Sequence, residues 1–319
     1  MYEAFFSLTE RPFDLVPNPK YLFLTGRQRE ALSNLRYGLL APRGLTLLLG
    51  EAGTGKTTLI QAVLSELDPG VVECVLVSNP SLTRAEFYES LAVGFGLGAE
   101  AEASKAKFLN AFKDHLEQRH GTGLLTALVV DEAQSMSHEL LEEVRLLGNM
   151  ETATSKLLNV VLAGQPELAD RLNDPSLRQL KQRVSLRCEL ATLTVAETAA
   201  YIAGRIRIAG GDPGAIFSRE AVTAIHDASK GVPRVINVIC DNALIGAFAA
   251  QTKPIVRALI EEICRDFDLS ASPAGPPAPA RSGGTPGSAS VADPQRPSAD
   301  EAADGASGGD TGGNRSTFF

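Results

Sequence analysis

Gly50-Glu51-Ala52-Gly53-Thr54-Gly55-Lys56-Thr57 sets glycines, a lysine and a hydroxyl at the spacing Gly-x-x-x-x-Gly-Lys-Thr. The apolar run Leu45 to Leu49 precedes it and Thr58-Leu59-Ile60 follows. Glycines at these positions let successive backbone N–H groups turn inward around a phosphate, and a helix opening near Gly55 adds its positive end. Lys56 supplies full charge for the outer phosphates, and the Thr57 hydroxyl can ligate magnesium. The pattern, between a buried strand and a helix, predicts a nucleoside-triphosphate site built from Gly50 to Thr58.

Such a loop does not separate kinases, GTPases and ATPases. The next apolar strand does more: Leu128-Val129-Val130 runs into Asp131-Glu132-Ala133-Gln134. Asp131 at the strand end can hold Mg2+ through water, and Glu132 can orient and deprotonate an attacking water. Paired carboxylates here, a Walker B element, point to hydrolysis rather than transfer to a small acceptor. No Asn-Lys-x-Asp guanine-reading motif occurs, and two recombinase-like helicase cores do not fit before the C-terminal tail.

Three further positions could touch the phosphates. Gln165 ends the apolar run Leu157 to Gly164, where it could reach the terminal phosphate or simply cap the helix that Pro166 opens. Arg178 and Arg183 lie in the basic stretch Leu177 to Val184. Either could be a finger reaching a neighbouring subunit's nucleotide, Arg183 first, or part of a solvated face. Arg234 follows Pro233 at a helix start, where a cation is mildly disfavoured unless an anion compensates. That anion could be a bound phosphate or a carboxylate such as Asp241.

These residues need a frame. From Leu45 to Cys188 apolar runs alternate with helical patterns, the signature of a parallel sheet covered on both faces. Strands are expected at 45–49, 71–77, 124–130, 157–163 and 184–188. Helices are expected at 56–67, 84–95, 105–119 and 139–147, with 94–104 as a surface connection. Thr194-Val195-Ala196-Glu197 reads as a capping box opening a helix with Ile202 and Ile206 on one face. Helices at about 219–228, 233–248 and 256–267 complete an all-helical subdomain. The domain reading is therefore an N-terminal segment 1–43 packing on the core, an α/β core 44–190, a helical lid 191–268 and a tail 269–319. The tail is rich in Pro, Gly, Ser and Ala and is expected to be disordered, with Pro273 to Pro279 a possible polyproline ligand.

With 319 residues, 44% of them hydrophobic, the chain can fill one large or two ordinary cores. Its net charge of −8 argues against strong global attraction to nucleic acid or anionic lipid. Cys74, Cys188, Cys240 and Cys264 form no Cys-x-x-Cys pair and read as reduced thiols. No secretory signal or membrane-spanning apolar run is apparent, so a cytoplasmic location is expected, with room for peripheral contact at the inner membrane.

In this order the motifs resemble those of the AAA+ ATPases, and specifically the general secretion pathway protein A family with its relatives at exosortase and exopolysaccharide loci. The resemblance covers nearly all of residues 1–268. It rests on Met1 to Phe6, Arg11-Pro12-Phe13, Arg29 to Leu32, the phosphate loop, Asp131 to Gln134, Leu162 to Leu168, Leu177 to Leu180 with Gln182-Arg183, and Gly231 to Arg234. It implies a five-stranded sheet in the order 5-1-4-3-2, ATP with Mg2+ as ligand, and an N-terminal aromatic segment near adenine. Phe5, Phe6, Phe13, Tyr21 and Phe23 could equally form a small aromatic core. It also implies Gln165 as sensor 1, Arg234 as sensor 2 and Asn79 as the polar residue holding the catalytic glutamate inactive. A homo-oligomer and envelope secretion or polysaccharide export components are the implied partners. Secretion members continue past the lid into a transmembrane helix and a periplasmic peptidoglycan-binding domain, where this sequence continues into its tail. The ATPase domain is also similar to transposition target-selection ATPases, so a DNA-associated ATPase is one alternative. A nucleotide-gated scaffold with little turnover is another.

Overall fold

The computed structural model describes residues 1–16 and 18–267. The expectations for the tail, its polyproline portion included, lie outside the described residues. In chain order the elements are α1 Gly26–Leu40, β1 Leu45–Gly50, α2 Lys56–Glu66, β2 Val72–Val77, α3 Arg84–Gly94, α4 Ala99–Ala103 and α5 Lys105–Gly121. Then come β3 Leu125–Val130, α6 His138–Leu147, β4 Asn159–Gly164, α7 Pro166–Arg171, α8 Arg178–Lys181 and β5 Val184–Leu190. The helical part is α9 Val195–Ile208, α10 Pro213–Ile216, α11 Arg219–Ser229, α12 Pro233–Ala249 and α13 Arg257–Asp266.

All strand pairs are parallel, in the order β2-β3-β4-β1-β5, which is the expected order read from the other edge. The central strands β1 and β4 are buried along their whole length, as a sheet covered on both faces requires. Alternation then divides the layers: Leu47, Leu128 and Leu162 face α3, α5 and α6, while Leu48, Val129 and Val161 face α1 and α2. Leu45 pairs with Val160 and Val184, and Gly50 with Leu190, so the strands begin and end nearly level. Their carboxyl ends form one rim, where α/β sheets bind ligands.

The segment 1–43 divides between two bodies. Helix α1 lies on the core, burying Ala31, Leu35 and Leu39 at helical spacing. Gly38 lets it come close, since a Cβ there would sit 2.3 Å from Thr46 Oγ1. Asn159 Nδ2 donates to the Leu39 carbonyl at 3.0 Å, satisfying a helix-end acceptor. The residues before α1 instead pack in the lid: Tyr2, Phe6, Leu8 and Phe13 share one apolar cluster with α9, α11, α12 and α13. Phe13 meets Phe217 edge-on, and Tyr2 Oη donates to Asp241 Oδ1 at 2.5 Å. Of the aromatic residues expected to form a core, Phe6 and Phe13 are buried in the lid's core with Phe5 and Phe23 packed against it, whereas Tyr21 is outside that cluster. The connection 94–104 contains α4, which buries Ala101 among the residues of α3 and α5.

The Thr194 capping box opens α9 with both reciprocal bonds made, and Ile202 and Ile206 are buried in the lid. Cys74, Cys188, Cys240 and Cys264 are free thiols. Among the described residues no helix is long and apolar enough to cross a membrane.

Candidate nucleotide site

The loop after β1 takes the backbone form its glycines permit: φ is 79° at Gly53 and 100° at Gly55, in the left-handed region. Gly50 is required by contact, because a Cβ there would meet Thr54 Oγ1 at 2.7 Å and the Leu190 carbonyl at 3.0 Å. Helix α2 starts at Lys56 with Gly55 as its cap and no side chain spent on its first N–H groups. Those donors face the loop and can take an anion. Lys56 is buried and its Nζ donates to the Gly50 carbonyl at 2.8 Å and the Glu51 carbonyl at 3.2 Å. Burial pushes the Lys56 ammonium below the usual lysine range, against the opposing pull of Glu132, Asp131, Glu51 and Glu167.

Asp131, at the end of β3, is buried; its Oδ2 accepts from Thr57 Oγ1 at 2.6 Å and its Oδ1 from the Glu132 N–H at 2.9 Å. A hydroxyl and one carboxylate beside a phosphate cradle are the donor set Mg2+ takes when it keeps waters and bridges phosphates. No group of three or more His, Cys, Asp or Glu able to hold a metal by itself occurs among the described residues. Thr57 and Asp131 thus fit a metal brought with the nucleotide.

Glu132 lies on the cleft wall with φ of 52°, unusual outside glycine. Its side-chain partner is Gln134, whose Nε2 donates to Glu132 Oε2 at 2.5 Å. The other end of that carboxamide, Oε1, accepts from the Gln165 backbone N–H at 3.1 Å, and Arg171 Nη1 donates to the Gln134 carbonyl at 2.6 Å. Gln134 therefore ties the end of β3 to the end of β4. Gly164 makes the room, since a Cβ there would sit 2.9 Å from Gln134 Oε1. The sequence displayed Gln134 within its motif but gave it no role; its only signal was a polar residue two positions after the glutamate.

Gln165 stands at the cap position of α7, yet its side chain makes no capping bond, which leaves the carboxamide available at the strand-end rim. Asn79 follows β2, whose end pairs with the end of β3, but it is exposed, its Oδ1 accepts from the Ser81 N–H at 3.3 Å, and it makes no hydrogen bond to Glu132 among the described residues. In this conformation Gln134, not Asn79, holds Glu132.

The lid closes the cleft. The Arg234 N–H donates to the Gly53 carbonyl at 3.2 Å, and a Cβ at Gly53 would meet Arg234 Cβ at 2.7 Å. Arg234 makes no ion pair among the described residues, and Asp241 is taken by Tyr2. Gly231 fixes this approach: the Leu193 N–H donates to its carbonyl at 2.8 Å, and a Cβ there would lie 2.0 Å from the Leu193 carbonyl oxygen. Asp14 to Val16, Tyr21 and Phe23 line the same cleft, which places the N-terminal segment at the site while its aromatic anchors sit in the lid.

Arg178 and Arg183 are not brought to this cleft. Val184 pairs with Leu45, at the amino end of β1, whereas the phosphate loop leaves its carboxyl end. The separation is five strand residues, roughly 16 Å. Arg183 borders a small groove with Arg43, Arg145 and Lys156 at the amino ends of the strands, the rim opposite the phosphate loop.

A parallel sheet in this order, with a phosphate loop after its first strand and a helical lid over it, is the AAA+ P-loop fold. Residues 40–172 match the family model described as AAA domain. The chain is a relative of General secretion pathway protein A of Aeromonas hydrophila, 43% identical over 257 residues, covering 80% of this chain and 46% of that protein. It thus spans about half the length of the curated relative it matches. Among solved structures it resembles the Aeropyrum pernix ORC2 protein in ADPNP-ADP complexes (TM-score 0.60, 16% identity, 81% of this chain and 71% of that one). It also resembles Drosophila ORC bound to DNA (TM-score 0.61, 21% identity, 82% and 65%). At those identities the likeness is one of fold.

Proposed function

We propose that this chain binds ATP with Mg2+ and hydrolyses it, and that turnover drives assembly or remodelling of an envelope secretion or exopolysaccharide export system. The observation carrying the hydrolytic half is the convergence of Lys56, Thr57 and Glu132 on one cleft, with Asp131 Oδ2 held 2.6 Å from Thr57 Oγ1. The loop amides, Lys56 and Arg234 bind the phosphates. Thr57 and, through water, Asp131 hold the metal, which when bound neutralises charge building on the phosphate oxygens. Glu132 orients the attacking water and takes its proton, and Gln165 steadies the terminal phosphate. The coupling half is supported by the relationship to general secretion pathway protein A. The working form is an oligomer at the cytoplasmic side, in which Arg183, with Arg178 second, reaches a neighbour's phosphates.

The test is Glu132→Gln against the parent: nucleotide binding is retained while ATP turnover falls at least a hundredfold. Equal turnover in the two proteins overturns the assignment of the base. Loss of nucleotide binding in the parent overturns the reading as a whole.

A further inference from the structure

Arg205, on α9, is 7% exposed and has no carboxylate within ion-pair distance among the described residues. Its Nε donates to the Pro12 carbonyl and its Nη1 to Tyr201 Oη, both at 2.5 Å. The guanidinium carbon lies 4.7 Å from the Tyr21 ring centroid and 5.3 Å from that of Tyr201. Of its five N–H donors, these contacts use two. A buried cation with spare donors and no counter-charge is costly unless something else accepts from it.

The surroundings say what could accept. Arg205 lines the nucleotide cleft with Tyr21, Phe23, Leu193, Tyr201 and Asn237, on the lid side. Asn237 Oδ1 accepts from Tyr201 Oη at 2.9 Å, which engages the oxygen of that cleft-lining carboxamide and leaves its Nδ2 donors without a hydrogen-bond partner among the described residues. Two fixed donor groups are therefore set among aromatic and aliphatic walls. A flat ring with acceptor nitrogens suits such a wall. The phosphate chain has its own partners at the loop, and the remainder of a nucleotide must extend from there into the rest of the cleft.

We propose that Arg205 and Asn237, positioned through Tyr201, form the base subsite, donating hydrogen bonds to ring acceptors of a purine. This rests on the nucleotide-binding reading and adds the group that reads the base. Because Arg205 also grips the Pro12 carbonyl, base occupancy and the placing of the N-terminal segment share one side chain.

The experiment titrates parent, Arg205→Ala and Arg205→Lys with two probes, a non-hydrolysable ATP analogue and inorganic tripolyphosphate, each with Mg2+. A charge-assisted hydrogen bond lost from the base lowers analogue affinity tenfold or more while tripolyphosphate affinity stays within about twofold. The lysine variant keeps the charge and most of the volume but not the planar fork, so it keeps the inference testable if the alanine variant does not fold. Equal losses for both probes in Arg205→Lys, or undiminished analogue binding, overturn the base subsite. A parent that binds neither probe overturns the nucleotide reading instead.

Discussion

Thr57 Oγ1 donates to Asp131 Oδ2 across 2.6 Å, joining the first turn of α2 to the end of β3. Side chains 74 positions apart in sequence are thereby held where a metal bound to both would lie. Thr57→Ala removes the hydroxyl and leaves the backbone donors of α2 intact. Turnover is expected to fall about a hundredfold, and nucleotide affinity to lose most of its dependence on Mg2+. Titrating Mg2+ at fixed ATP checks both. Unchanged Mg2+ dependence would remove Thr57 from the metal site.

Gln134 bridges Glu132 and the Gln165 backbone, so its loss frees the base and loosens the neighbouring strand end. Gln134→Ala is expected to lower turnover about tenfold with nucleotide affinity little changed, as for an interaction that aims a catalytic group. Asn79→Ala, altering an exposed side chain bonded to Ser81, should leave basal turnover within about twofold. Steady-state rates of the two variants decide which residue controls Glu132. The reverse ranking would return control to Asn79.

Chemistry and sheet were legible in the sequence because both are local. Phosphate loops and strand-end acids are contiguous, and buried parallel strands are continuous apolar runs. Edge strand β5 ran past its expected end because Glu189 is exposed there, so an apolar run stops short of the ladder. Helix α1 was missed since its 15 residues bury only Ala31, Leu35 and Leu39 as core apolar positions, with Gly38 against Thr46. What escaped altogether was through-space. The aromatic residues near the start dock on helices some 200 positions later, as Thr9 to Ala209 shows. The role of Gln134 likewise exists only once β4 lies beside β3.

Gly231 and Gly204 make a matched pair in the lid. At Gly231, φ is 74° and an added Cβ would collide with the Leu193 carbonyl at 2.0 Å. Gly231→Ala should cost about 3 kcal/mol or more, through strain and displacement of the α9 entry. Gly204 lies within α9 with nothing near its missing Cβ, so Gly204→Ala should stabilise by about 0.5–1 kcal/mol. Chemical denaturation of both reads opposite signs. A tolerated Gly231→Ala would mean the Gly231–Leu193 contact is looser than this packing.

Burial lowers the Lys56 pKa in the free protein, and a triphosphate beside the ammonium favours its charged form. Between the lowered free value and the raised bound value, binding takes up a proton, so affinity must fall as pH rises through that alkaline window. Below it Lys56 is charged in both states and affinity is flat with respect to this group. Calorimetry of a non-hydrolysable ATP analogue in buffers of different ionisation enthalpy measures the uptake directly. Absence of uptake across the alkaline range would contradict the role of Lys56 at the phosphates.

Arg183 sits at the amino end of β5, on the rim of the sheet away from its own phosphate loop. If it serves catalysis it must do so at a second copy, through a head-to-tail contact in which each subunit supplies the finger and receives another. Glu132→Gln and Arg183→Ala then fail for different reasons: one subunit lacks the base and keeps the finger, the other the reverse. In a mixture, a Glu132→Gln finger facing an Arg183→Ala site completes one working centre. Mixing two nearly inactive proteins should therefore restore a substantial fraction of turnover, greatest near equal proportions. Arg178→Ala in place of Arg183→Ala tests the second candidate by the same rule. No recovery with either arginine, under conditions where light scattering shows mixed assemblies, would make both part of a solvated basic face.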